Sequence, residues 1–253
     1  MEISGAGAMI VGGASGMARA TAERLRQKGA RIAIVDLPTS EGEVVATSLD
    51  GTFHPLDVTD EPGVERTVPE VVEALGGLHI AVNTAGGGLA ARTITRDGPH
   101  PLDSFRRVID LNLVATFNLN RLQAWHMSQN EPDDDGERGV IINTSSIAAF
   151  EGQIGQVAYT AAKAAIAGMT LTMARDLGGV GVRVSSIAPS LFATGLTKGI
   201  PDEVTEVLTR DAAFPKRAGR PDEYAILAVA IVESAMLNGS CIRLDGGQRF
   251  APR

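Results

Sequence analysis

Ser146, Tyr159 and Lys163 are the residues of this chain whose types and spacing can do chemistry. Ser146 follows an apolar run, Val140 to Ile142, that reads as a buried strand. Tyr159 comes 13 residues later and Lys163 four after that, inside an alanine-rich pattern that reads as helix over 158–177. Residues i and i+4 of a helix share a face, one turn apart. A free phenol titrates near pKa ~10, too high for a base at neutral pH. A fixed ammonium nearby favours the phenolate, so Lys163 is expected to lower the Tyr159 pKa. The Ser146 hydroxyl can then hold a substrate oxygen beside the phenol.

The elements that must position these groups begin with a glycine-rich turn. Residues 8–11 form a short strand, followed by GGASGM and a helical pattern to about Lys28. Gly12, Gly13 and Gly16 let the backbone approach a diphosphate at a helix N-terminus. A second strand, Arg31 to Val35, ends at Asp36, 24 positions after Gly12. A dinucleotide fold places its ribose-binding carboxylate near there, and a carboxylate repels a 2′-phosphate. NAD is therefore expected over NADP.

Further strands are read at Thr52 to Leu56, Leu78 to Val82, Val182 to Ala188 and 240–244, with helices over 41–49, 61–75 and 221–234. Asp57 suits either an adenine contact or a helix cap. Asn83 to Gly86 are small residues that would pack against a cofactor. The stretch 86–102 reads as a loop, where Arg92 and Arg96 are solvated charges or phosphate partners. Asp103 is expected to cap a helix to about Met127, with Asn112, a poor helix former, in its middle. Residues 190–215 read as an apolar cover over the sheet end, where substrate is selected. Alternating strands and helices imply an α/β, doubly wound Rossmann fold. It would be a single domain over 1–253, with a seven-stranded, mainly parallel sheet and helices on both faces.

Composition narrows the class. The 253 residues are 44% hydrophobic and carry a net charge of −7, which argues against nucleic-acid or membrane binding through bulk charge. One cysteine and four histidines without ligand spacing point to no disulfide and no metal. The N-terminal MEISGAGAMIVGG does not read as a secretory signal, so a cytoplasmic location is the expectation.

These motifs together resemble the short-chain dehydrogenase/reductase family over essentially the whole chain. The family's glycine motif falls on Val11 to Ala18, with Val11 and Ala18 in place of a threonine and a glycine. Its Asn-x-Ala-Gly falls on Asn83, Ala85 and Gly86, and its Pro-Gly turn on Pro189-Ser190. The resemblance implies that Asn112, Ser146, Tyr159 and Lys163 are catalytic, with Asn112 positioning a water that relays the proton. It implies NAD contacts from Gly12, Ser15, Gly16, Met17, Asp36, Leu37, Asp57, Val58, Asn83, Ala85, Gly86, Tyr159, Lys163, Pro189, Leu191, Phe192 and Thr194. Substrate contacts are implied for Ser146, Gln153, Tyr159, Phe192 and Leu196. The segments QNEPDDDGERG, GVIINTSSIAAFEGQIGQVAYTAAK and LNGSCIRLDGG are similar to members acting on 3-hydroxyacyl-CoA thioesters. The implied reaction is reversible oxidation of a secondary alcohol. A hydroxysteroid or other apolar alcohol is the alternative substrate, and a non-catalytic NAD-binding scaffold the alternative of another class. A homotetramer is implied, with the Asn112 and Tyr159 helices at one interface.

Overall fold

Short, continuous apolar runs are what a parallel sheet buried on both faces requires, and here they form its strands. A computed structural model of the chain describes residues 1–194 and 208–252. The strands are β1 (Gly7–Val11), β2 (Arg31–Asp36), β3 (Thr52–Pro55), β4 (Ile80–Asn83), β5 (Gly139–Thr144), β6 (Val182–Pro189) and β7 (Cys241–Leu244). They lie in the order β3-β2-β1-β4-β5-β6-β7, every pairing parallel. The helices are α1 (Gly16–Gln27), α2 (Gly42–Ser48), α3 (Glu61–Leu75), α4 (Leu102–Ile109), α5 (Ala115–Met127), α6 (Val157–Gly178) and α7 (Pro221–Glu233).

Period-two alternation divides the core into two layers. Ala8 and Ile10 of β1 face α1, α2 and α7, whereas Met9 and Val11 face α3, α5 and α6. Strand order reverses between β1 and β4, so a crevice opens at the carboxyl ends of these strands, where ligands bind in such sheets. The glycine turn after β1 and the end of β5 both reach that crevice.

The 86–102 stretch is a loop, as expected, apart from a minimal hairpin pairing Ile94–Thr95 with Gly98–Pro99. The following helix differs from its reading. It starts at Leu102, with Pro101 at the cap, and Asp103 lies in the first turn, paired with Arg106. Asp103 is therefore not the cap. Between α4 and α5, Asp110–Val114 form one π-helical turn centred on Asn112. Two side chains explain that turn. Asn112 Nδ2 donates to Val108 O at 2.9 Å, and Thr116 Oγ1 donates to Asn112 O at 2.6 Å. Both compete with the backbone ladder four residues away.

Asn83 also departs from its expected cofactor role. Its side chain turns into the α5 layer, where Nδ2 donates to Asn120 Oδ1, Gln123 Oε1 and Asn143 Oδ1 at 2.9–3.0 Å. Gln123 Nε2 donates back to Asn83 Oδ1 at 2.9 Å. Alternation along β4 forces this direction, because Val82 already faces the other layer. Four buried carboxamides thus tie the ends of β4 and β5 to α5. Asn83→Ala would leave three of them short of a partner. It should lower unfolding stability by about 2 kcal/mol or more in urea titration; a loss below about 0.5 kcal/mol would contradict this role.

Candidate active site

Three successive residues leaving β5 organise the site. Thr144 O accepts from Lys163 Nζ at 2.9 Å, and Ser145 Oγ donates to Lys163 O at 2.8 Å. Lys163 is thus gripped at both its ammonium and its backbone. Ser146 is extended and starts a single 3-10 turn, Ile147–Ala149, its Oγ accepting from Ala148 N at 3.1 Å. The chain returns into α6, which brings the Tyr159 phenol back toward the Ser146 hydroxyl, and both line the same cleft. Lys163 Nζ lies 5.6 Å from the Tyr159 ring centroid.

The electrostatics differ from the expectation. Burial raises the Tyr159 phenol above its ordinary value, and the Ser146 hydroxyl opposes this only in part. Burial also pushes the Lys163 ammonium down, to about 8. The expected lowering of Tyr159 by Lys163 is absent because the ammonium is turned to the Thr144 carbonyl and desolvation dominates. Lys163 still carries its charge at pH 7, by roughly ten to one.

Asn112 and the loop after β4 close one wall. Asn112 Nδ2 donates to Gly87 O at 2.7 Å, and Gly87 N donates to Asn112 Oδ1 at 3.2 Å. A Cβ on Gly86 would fall 2.6 Å from Asn112 Oδ1 and 3.3 Å from Lys163 Nζ, so only glycine fits. The Asn112 amide is thus engaged with Gly87 and Val108, and its evident work is to hold this loop.

The glycine turn fits a dinucleotide. Gly12 has φ 79°, and a Cβ there would meet Thr84 Oγ1 at 2.6 Å. The α1 N-terminus has no side-chain cap bond and no acidic residue in its first turn, leaving its N–H groups and dipole to an anion. Asp36 ends β2 beside it. Its Oδ2 accepts from Ala14 N at 2.9 Å and its Oδ1 from Leu37 N at 2.7 Å, so it braces the turn and retains acceptor capacity for a ribose. The residues that differ from the family motif are accommodated. Thr84 N and Oγ1 both donate to Val11 O at 3.0 Å, tying the turn to β4 from the other side. The Ala18 methyl is absorbed in the core, and Ser190 N bonds Leu244 O at 3.2 Å without a left-handed φ.

A cleft of about 550 Å³ joins these parts, bringing together Met17, Gly86, Ser146, Tyr159, Lys163, Pro189, Leu191, Phe192 and Thr194. Gly12, Ser15, Gly16, Ala85 and Leu37 flank it along the glycine turn and the ends of β2 and β4. Several expected contacts lie elsewhere. Gln153 Nε2 donates to Ala251 O at 3.3 Å, and Gln153 lines a separate open groove with Arg92 and Val157. The 3-10 turn and Gly155 place Gln156 at the cleft instead. Val58 is in the core, its side chain facing α3. Asp57 neither caps α3 nor reaches this cleft; its Oδ1 accepts from Thr59 N and Oγ1, and the cap position belongs to Asp60. Leu196 lies outside the described residues, as do Ile200, Val204 and Val207 of the expected cover. Thr84 lines the cleft, as the reading of Asn83 to Gly86 expects, and Thr144 and Gln156 line it without having been singled out. For Gln156 a signal existed, since it stands three residues before Tyr159 on one helical face.

Comparison with known proteins agrees with this geometry. A family model described as enoyl-(acyl carrier protein) reductase matches residues 12–249. The 3-hydroxyacyl-CoA dehydrogenase type-2 of Bos taurus is 50% identical, covering 99% of this chain and 98% of its own. That of Drosophila melanogaster is 47% identical over 99% of this chain and all of its own length. A crystal structure of 3-hydroxyacyl-CoA dehydrogenase type-2 from Mycobacterium avium superposes with a TM-score of 0.94 at 41% identity, covering 98% of each chain. The electrostatics of the cleft are testable alone: by NMR of 13C-labelled lysine side chains, Lys163 should titrate near pH 8. A midpoint near the ordinary ~10.4 would contradict the dry, unpaired site described.

Proposed function

The chain belongs to the short-chain dehydrogenase/reductase family, and on that premise we propose that it is an NAD-dependent oxidoreductase that reversibly oxidises a 3-hydroxyacyl-CoA to the 3-ketoacyl-CoA. The observation that carries the reaction type is the convergence of Ser146, Tyr159 and Lys163 beside a glycine turn braced by Asp36. The names borne by the relatives support the substrate.

NAD bound along the glycine turn supplies the hydride acceptor. Gly12, Gly16 and the α1 N-terminus would hold its diphosphate, and Asp36 its adenosine ribose. The Asp36 carboxylate disfavours a 2′-phosphate, which speaks against an NADPH-dependent acyl-carrier reductase. Ser146 orients the substrate oxygen toward Tyr159. Tyr159 takes the hydroxyl proton during oxidation and returns it during reduction. Its raised pKa makes the neutral, proton-donating phenol the resting form at pH 7. Lys163 keeps a positive charge beside the ring, and Asn112 holds the Gly86–Gly88 wall against which a cofactor would lie.

The same reading covers the setting. One domain carries both cofactor and substrate functions, since the sheet runs from Gly7 to Leu244. Phe117 and Trp125 of α5 and Leu171 of α6 are exposed apolar residues, which supports pairing of these helices in a homotetramer. A single cysteine suits a reducing compartment, and the cytoplasm is the proposed location.

Tyr159→Phe should lower turnover by about 10³-fold or more while NAD affinity stays within about threefold. Residual turnover above a tenth would remove Tyr159 from its role. NADH release should be faster with 3-hydroxybutyryl-CoA than with a steroid alcohol at equal concentration; the reverse order would transfer the assignment to the steroid. No NADH from either, with NAD bound, would favour a scaffold.

A further inference from the structure

Tyr224 is a fully buried phenol on the far side of the sheet from the catalytic helix, and nothing in the reaction above uses it. Its ring would be served as well by phenylalanine. A hydroxyl in so dry a place is costly unless it is paired. It is paired with Thr144 Oγ1, at 2.8 Å.

Thr144 is where the two layers of the molecule meet. Along β5, Asn143 faces the α5 layer and bonds Asn83, and Ser145 faces α6 and bonds Lys163 O. Alternation therefore sends the Thr144 side chain to the opposite layer, where α7 carries Tyr224. The Thr144 carbonyl, meanwhile, is the acceptor for Lys163 Nζ at 2.9 Å. Strand pairing toward β4 ends one residue earlier, at Asn83 and Asn143, so the ladder holds this last peptide on one side only, where Ser145 N donates to Ile187 O of β6 at 2.8 Å. The start of α7 is in turn tied to the cleft. Gly219 N donates to Leu191 O and Ala193 N donates to Gly219 O, at 2.9 and 2.8 Å.

We propose that Tyr224 is a positioning residue for the reaction: through Thr144 it holds the carbonyl that orients Lys163, and it couples the cleft wall at 191–193 to the ammonium. The inference rests on the reading of Lys163 as the cation beside the base. Around Lys163 the groups on neighbouring elements are Tyr159 of α6, Thr144 O of β5, and Gly86 with the Asn112 amide across the cleft. No ion pair among the described residues includes Lys163, so a neutral carbonyl is what steadies its charge.

The test uses the full chain in the NADH-release assay. Tyr224→Phe should lower kcat about tenfold at pH 7.5, the size expected for coupling between contacting groups, with KM for the alcohol within threefold. The Lys163 NMR titration should move below its parent midpoint, because a carbonyl held loosely stabilises the cation less. Thr144→Val should reproduce both changes, and the double variant should be no worse than either single one. Thr144→Ser, which keeps the hydroxyl, should restore the parent behaviour. Val229→Ala, which hollows α7 elsewhere, should leave kcat and the titration in place. Thr144→Val also serves as the probe if Tyr224→Phe does not fold. An unmoved titration with kcat within twofold of the parent would overturn the proposal, as would an equal loss in Val229→Ala. If Lys163→Met itself keeps near-parent turnover, the reading of Lys163 fails instead.

Discussion

The hydrogen bond from Lys163 Nζ to the Thr144 carbonyl is the interaction on which the rest of the site depends. A lone ammonium in a dry interior is unstable, and its pKa of about 8 measures the strain of keeping it there. The fold meets that demand with backbone rather than with a carboxylate. A carboxylate would neutralise the charge; a carbonyl steadies it and leaves its field to act on the cleft. That choice explains why Ser145, Thr144 and Gly86 are packed so closely around one side chain.

Polar groups elsewhere in the interior serve the same end. The carboxamides of Asn83, Asn120, Gln123 and Asn143 lock β4 to β5 just below the point where both strands release their functional loops. The π turn at Asn112 reaches across to Gly87 and fixes the opposite wall. A core built only of apolar side chains would be easier to fold, yet it would not specify the register of these two loops. On the third side, the Arg243–Glu151 pair, with 2.9 Å contacts, ties the segment between Ser146 and Tyr159 to β7.

Much of this was legible in the residues. Parallel strands buried on both faces appear as unbroken apolar runs, so the strand at Arg31 and the helix at 61–75 were read close to where they lie. The i, i+4 spacing of Tyr159 and Lys163 survives any detail of packing. What escaped depends on three-dimensional neighbours. The direction of Asn83 follows from which layer each strand residue faces. The π turn needs Gly87 as a distant partner for Asn112. Gln153 and Gln156 are equivalent by composition and are separated only by the path of the turn before α6. The Tyr159 pKa misled for a similar reason: spacing shows that a charge is near, and only burial shows that desolvation wins.

The measurement that bears most directly on the buried cation is rapid mixing of Lys163→Met with NAD and 3-hydroxybutyryl-CoA at pH 7, alongside its thermal unfolding. Methionine keeps the apolar stem and removes the charge. The expected result is formation of NADH slowed by about 10³-fold or more, with an unfolding midpoint no lower than that of the parent, since a desolvated charge without a counter-ion has been removed from the interior. Formation of NADH within tenfold of the parent would contradict the role assigned to the ammonium.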